Sequence, residues 1–141
     1  MGARKVRGLL DAGFEVTVVS PTLIASMDGL EFAHERRKFE LEDVARHGIV
    51  FACTNDRSVN EKVGHIARMA GKPVIVTDSP DESTAFSTAV FRDGLLQVGV
   101  STTASAPGMA TEVRDRIAKE IKGEFADRIY AARSDRRPGP D

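Results

Sequence analysis

Short apolar runs rich in β-branched residues alternate along the chain with stretches of helical periodicity, an order that builds βαβ units around a parallel sheet. Three runs stand out: Phe14 to Ser20 (FEVTVVS), Gly48 to Thr54 (GIVFACT) and Pro73 to Asp78 (PVIVTD). Each is nearly continuous in apolar character and ends in turn chemistry, as strands covered on both faces should. Between the last two, Val59, Val63, Ile66 and Met69 recur at helical spacing, predicting a helix over residues 57 to 70. Asn55 or Asp56 can cap its start, and Gly71 with Pro73 stops it. A helix over residues 3 to 12, closed by Gly13, precedes the first strand. The polar stretch Ile24 to Glu40 holds a short strand around Phe32 to Phe39, followed by a short helix at Leu41 to His47. The class is α/β.

Beyond Asp78 the pattern changes. Phe86 to Phe91 and Leu95 to Val100 read as a hairpin about the turn Arg92-Asp93-Gly94, which departs from a doubly wound arrangement. A helix follows, with Ser105 as its N-cap, Pro107 in its first turn, and Met109, Val113, Ile117 and Ile121 on one apolar face. Phe125, Ile129 and Tyr130 then mark a helical turn before the tail ARSDRRPGPD, whose composition predicts disorder.

The 141 residues allow one domain, or one with a small appendage, and exclude a second full catalytic domain. With 41% hydrophobic and 29% charged residues, a core can form. Lys plus Arg number 20 and Asp plus Glu 21, so the net charge of -1 gives no overall field for nucleic acid or anionic lipid. No apolar run approaches the roughly 20 residues that span a bilayer, and the N-terminus lacks a signal-peptide core, so a cytoplasmic protein is expected. Cys53, alone, forms no internal disulfide or cysteine-based zinc cluster, fits a reducing compartment, and reads as a small buried hydrophobe. His34, His47 and His65 share no metal-ligand spacing and read as surface or packing residues; no metal is expected.

In an open parallel sheet, ligands bind beyond the carboxyl ends of the strands, where helix N-termini and loop amides converge. Those ends carry Ser20-Pro21-Thr22, Thr54-Asn55-Asp56 and Thr77-Asp78-Ser79-Pro80: hydroxyls, an amide and two carboxylates on one rim. Each is also an ordinary cap or turn former. The dinucleotide fingerprint G-x-G-x-x-G is absent, and the chain opens on the helix that would follow it, so its natural beginning is expected to lie upstream.

The ordered segments GARKVRGLLDAGFEVTVVSP, FACTNDRSVNEKV, GKPVIVTDSP and AFSTAVFRDGLLQVGVSTTASAPGMATEVRDRI resemble the N-terminal module of siroheme synthases over about residues 2 to 121. That family comprises precorrin-2 dehydrogenases, some of them also sirohydrochlorin ferrochelatases. The resemblance implies a Rossmann-like NAD-binding domain over residues 1–80, a hairpin-plus-helix dimerisation and substrate lobe over 81–123, and a helical turn with a disordered tail over 124–141. It implies a homodimer using NAD on a tetrapyrrole substrate; the charge balance and the short apolar runs lead us to expect no nucleic-acid or membrane partner.

By that resemblance Asp78 is the catalytic residue. Independently, it stands where a strand ends at the crevice, and a carboxylate there can accept a proton within about 3 Å or through one water. A plain turn-forming Asp before Ser79-Pro80 is the alternative, with Asp81 and Glu82 as nearby rivals. The resemblance places Ser20, Pro21 and Thr22 on the adenosine side of NAD, although no Asp or Glu ends that strand to hold a ribose hydroxyl. Thr54 and Asn55 would line the next loop beside the cofactor, while Asp56 and Asn60 read as capping and packing residues. Thr102, Thr103 and Ser105 would meet the carboxylate-rich substrate, with Thr103 and Ala104 standing where the family has paired glycines. Arg4, Lys5 and Arg7 flank the cofactor end, and Arg36, Arg37 and Lys38 read as a solvated face. The competing readings are a non-catalytic NAD- or tetrapyrrole-binding module and an NAD-sensing regulatory domain.

Overall fold

In the computed structural model, which describes residues 2–135, the fold opens with α1 (Gly2–Leu10) and then β1 (Thr17–Val19). Gly13 ends that first turn of structure at φ +81°, where its N–H reaches the Leu10 carbonyl at 2.9 Å. Next come a 3₁₀ turn (Ala25–Met27), β2 (Ala33–Glu35), α2 (Leu41–Arg46), β3 (Val50–Ala52), α3 (Arg57–Met69), β4 (Val74–Val76) and a second 3₁₀ turn (Pro80–Glu82). The remainder is β5 (Ala89–Asp93), β6 (Leu96–Val100), α4 (Pro107–Ile121) and α5 (Ala126–Asp135). The chain divides into two compact units, with the boundary between Ala85 and Phe86.

In the first unit, β1 pairs with β2 and β3 with β4, both in parallel. Among the described residues no ladder joins the two pairs. The core gathers Val44, Ala52, Val63, Ala67, Val74 and Val76, with Phe39, Val50, Val59 and Ile66 packed around it. Only β4 is buried throughout; β1 has no buried residue, contrary to the expectation of strands covered on both faces. Residues 83–85 stay with this unit because the Ser83 hydroxyl accepts from Val76 N–H at 2.9 Å and the amides of Thr84 and Ala85 both reach the Val74 carbonyl.

The predicted face of α3 holds at Val63, in the core, and at Val59 and Ile66, packed against it, but not at its last position. Met69 is 76% exposed, and the buried positions are Asn60, Val63, Gly64 and Ala67, an i, i+3, i+4, i+7 set of mostly small residues. Smallness is what the packing requires: a Cβ on Gly64 would lie 2.8 Å from Val76 Cγ2. Asp56, rather than Asn55, caps the helix, accepting from Ser58 and Val59 N–H at 2.9 and 3.3 Å.

In the second unit, the hairpin register sets Asp93 opposite Leu96, so β5 runs through the expected turn residues and the turn is Gly94-Leu95, with Gly94 at φ +56°. Helix α4 packs on both strands and buries Ala110, whereas Met109 and Val113 of its anticipated apolar face lie exposed. The start of the expected disordered tail, through Asp135, is helical in α5, where Tyr130 covers Gly94. Residues 136–141 of that tail lie outside the described residues. No helix among the described residues is long and apolar enough to cross a membrane.

Candidate active site

The carboxyl end of β4 is tied to that of β3 by Thr77, whose N–H and hydroxyl both donate to the Ala52 carbonyl at 3.0 Å. One residue on, Asp78 is exposed. Beneath it, the side chain of Asn60 is fully buried, yet all its hydrogen-bonding positions are used. Its Nδ2 donates to the Thr54 carbonyl at 3.0 Å and to Asp78 Oδ2 at 2.8 Å. Its Oδ1 accepts from Thr54 N–H at 2.9 Å and faces the Thr54 hydroxyl at 2.8 Å. One amide thus joins the loop after β3 to the carboxylate after β4. Beside them, Arg57 at the start of α3 pairs with Glu82; this contact holds the Glu82 carboxyl below its ordinary range. Asn55 is exposed in the same loop.

At the end of β1, the Ser20 hydroxyl donates to the Thr22 carbonyl at 2.6 Å, and His34 Nε2 donates to the Ser20 carbonyl at 2.9 Å. Pro21 and Thr22 are exposed. Helix α1 begins beside the first 3₁₀ turn and the residue after β3: a Cβ on Gly2 would lie 3.3 Å from Met27 Cε and 3.9 Å from Cys53 Cβ. Burial lowers the Lys5 ammonium and raises the half-buried Cys53 thiol from their ordinary values.

Arg37 does not belong to a solvated face. It is half-buried, donates to both oxygens of Asp43 at 2.8 and 2.6 Å, and pairs with Glu35, while Arg46 reaches Asp43 at 2.6 Å and Glu35 at 3.3 Å. Asp43 also accepts from Glu40 N–H at 2.9 Å, so this cluster closes the first turn of α2. His47 Nδ1 donates to the Asp43 carbonyl at 2.7 Å.

Within the second unit, Ser105 does not cap α4. The N-cap is Ala106, whose N–H donates to the Thr102 hydroxyl at 3.2 Å, and Thr103 N–H is met by the Ser101 hydroxyl at 3.1 Å. Thr103 and Ala104 sit at φ +49° and +63°, the left-handed region that favours glycine, so the loop keeps its shape against backbone strain. The structure therefore gathers Thr54, Asn60 and Asp78 into one cluster, and holds Ser20 to Thr22 in a separate turn braced by His34.

Residues 1–89 match the NAD(P)-binding family model NAD_binding_7, well over half of the chain. The chain belongs to this NAD(P)-binding family. Curated relatives include the siroheme synthases of Nitrosomonas eutropha (34% identical, covering 89% of this chain and 27% of that protein) and Methylococcus capsulatus (34%, 89% and 27%). The Nitrosomonas europaea siroheme synthase is 32% identical over 94% of this chain and 29% of its own length. The chain thus spans under a third of the curated relatives it matches. Its fold is that of SirC, a precorrin-2 dehydrogenase: the TM-score is 0.73 at 24% identity, covering 89% of this chain and 63% of SirC.

The residues present fit a dinucleotide. The first turn of α1 carries no acidic side chain, and Gly2 leaves open the space a Cβ would take beside Met27 and Cys53. Ser20, Thr22 and Thr54 add hydroxyls at strand ends. Sequence reasoning read Asn60 as a packing residue, in keeping with its burial, but missed its link to Asp78, and it missed Gly64. The signal was their place in the 60, 63, 64, 67 set, masked by the bulkier 59, 63, 66, 69 series.

Proposed function

We propose that this chain serves the NAD-dependent oxidation of precorrin-2 to sirohydrochlorin, with Asp78 accepting the proton. The observation that carries this reading is an exposed carboxylate at the carboxyl end of β4, oriented by a buried amide, in a chain of an NAD(P)-binding family. The macrocycle loses a hydride and a proton. Bound NAD would supply the acceptor for the hydride. Asp78, within about 3 Å of the leaving proton or one water away, takes the other. Ser20, Pro21 and Thr22 meet the adenosine side, without an acidic residue for the ribose, and Thr54 and Asn55 line the loop beside the cofactor. In the second unit, Thr102, Thr103 and Ser105 offer polar groups to substrate carboxylates. The same acid suits the deprotonation of pyrrole nitrogens that iron insertion demands.

A homodimer through the second unit is supported by the exposed Met109, Val113 and Leu95. The single cysteine and the near-neutral charge favour a cytoplasmic location without nucleic-acid or membrane partners. The test is addition of precorrin-2 and NAD to the purified chain. Reduced-cofactor absorbance rising with sirohydrochlorin is expected; tetrapyrrole or NAD binding without reduction contradicts the enzyme and leaves a binding module.

A further inference from the structure

We infer that Asn60 is a positioning residue, which holds the Asp78 carboxylate in its working orientation; this rests on the reading of Asp78 as proton acceptor. Asn60 braces the Thr54 backbone, and the flanking elements have anchors of their own. Asp56 caps α3, and Thr77 ties the end of β4 to Ala52. What Asn60 adds is a charge-assisted hydrogen bond of 2.8 Å to Asp78 Oδ2, from an amide that is itself immobilised by Thr54 on three atoms. An exposed aspartate without such a tether samples several rotamers, and misplacement of a reacting group by about 1 Å costs on the order of 100-fold in rate. An amide is well matched to this role, because it donates to the carboxylate at any working pH and cannot compete for the proton. The loop after β3 and the carboxylate after β4 therefore move as one piece.

The test is a double-mutant cycle on the intact chain turning over precorrin-2 with NAD, with thermal melting recorded for each variant. Asn60→Ala should lower kcat on the order of 10- to 100-fold, with both KM values within about threefold of wild type. In an Asp78→Asn background the same substitution should change kcat by less than about twofold, because the group it positions is gone. An equal loss in both backgrounds means that Asn60 acts through the fold, and overturns the inference. If Asn60→Ala does not fold, Asn60→Ser replaces it, since one short hydroxyl cannot serve Thr54 and Asp78 together; wild-type kcat in that variant also overturns the inference. A wild-type rate in Asp78→Asn alone overturns the underlying assignment of Asp78, and Asn60 with it.

Discussion

The two parallel strand pairs of the first unit are held by different forces. β4 lies wholly in the core, with Val74 at 0% and Val76 at 2% exposure against a helix face built from Val63, Gly64 and Ala67. By contrast, β1 and β2 bury no residue and are tethered through charge: Glu35, the last residue of β2, joins the cluster of Arg37, Asp43 and Arg46. Apolar burial is indifferent to pH and little weakened by salt, whereas ion pairs answer to both. The platform under Asp78 is accordingly the firm half, and the strand end carrying Ser20 to Thr22 is the yielding one.

Asp43→Ala should produce the largest loss of stability. It strips two guanidinium groups of one of the two acceptors they share, and Glu40 N–H of its partner, at a cost of about 2–3 kcal/mol by urea denaturation. Hydrogen exchange should quicken most at β1 and β2; an equal rise at Val74 and Val76 would erase the contrast between the halves. The same residue sets a pH dependence. Hydrogen bonding to Arg37 holds the Asp43 carboxyl well below its ordinary range, so the folded state binds that proton less readily than the unfolded chain. Its stabilising contribution is therefore complete above about pH 5 and lost as the pH falls below about 4. Urea midpoints should drop over that acid range in the wild type and less steeply in Asp43→Asn, where the lowered carboxyls of Glu35, Asp56 and Glu82 still contribute.

A smaller effect is expected in the firm half. Gly64→Ala places a Cβ 2.8 Å from Val76 Cγ2, and overpacking should outweigh the helix-propensity gain by about 1 kcal/mol. Amide exchange should rise in β4 while β1 and β2 keep their protection; an unchanged or raised melting temperature would show that the helix–strand contact is loose.

The firm half was also the legible half. Contiguous apolar runs, a cap at Asn55 or Asp56 and the Gly71-Pro73 stop announce β3, α3 and β4, although the strands end at Ala52 and Val76, two residues before the expected Thr54 and Asp78. Asn60 was legible as a packing residue but not as the partner of Asp78, because its partners lie 6 and 18 residues away. Arg37 was misread for a similar reason. A run of three cations looks solvated until the chain between β2 and α2 folds back and sets Asp43 against it. At Ser105, the left-handed backbone of Thr103 and Ala104 turns the loop so that the Thr102 hydroxyl reaches Ala106 N–H first, a reversal that residue preferences alone do not anticipate.

The central claim concerns one carboxylate, and Asp78→Asn tests it with the least disturbance, because the amide retains an oxygen for Asn60 and differs little in shape. Melting should stay within about 2 °C of wild type, while precorrin-2 oxidation falls on the order of 100- to 10,000-fold. Oxidation at the wild-type rate by a folded Asp78→Asn chain would contradict the account.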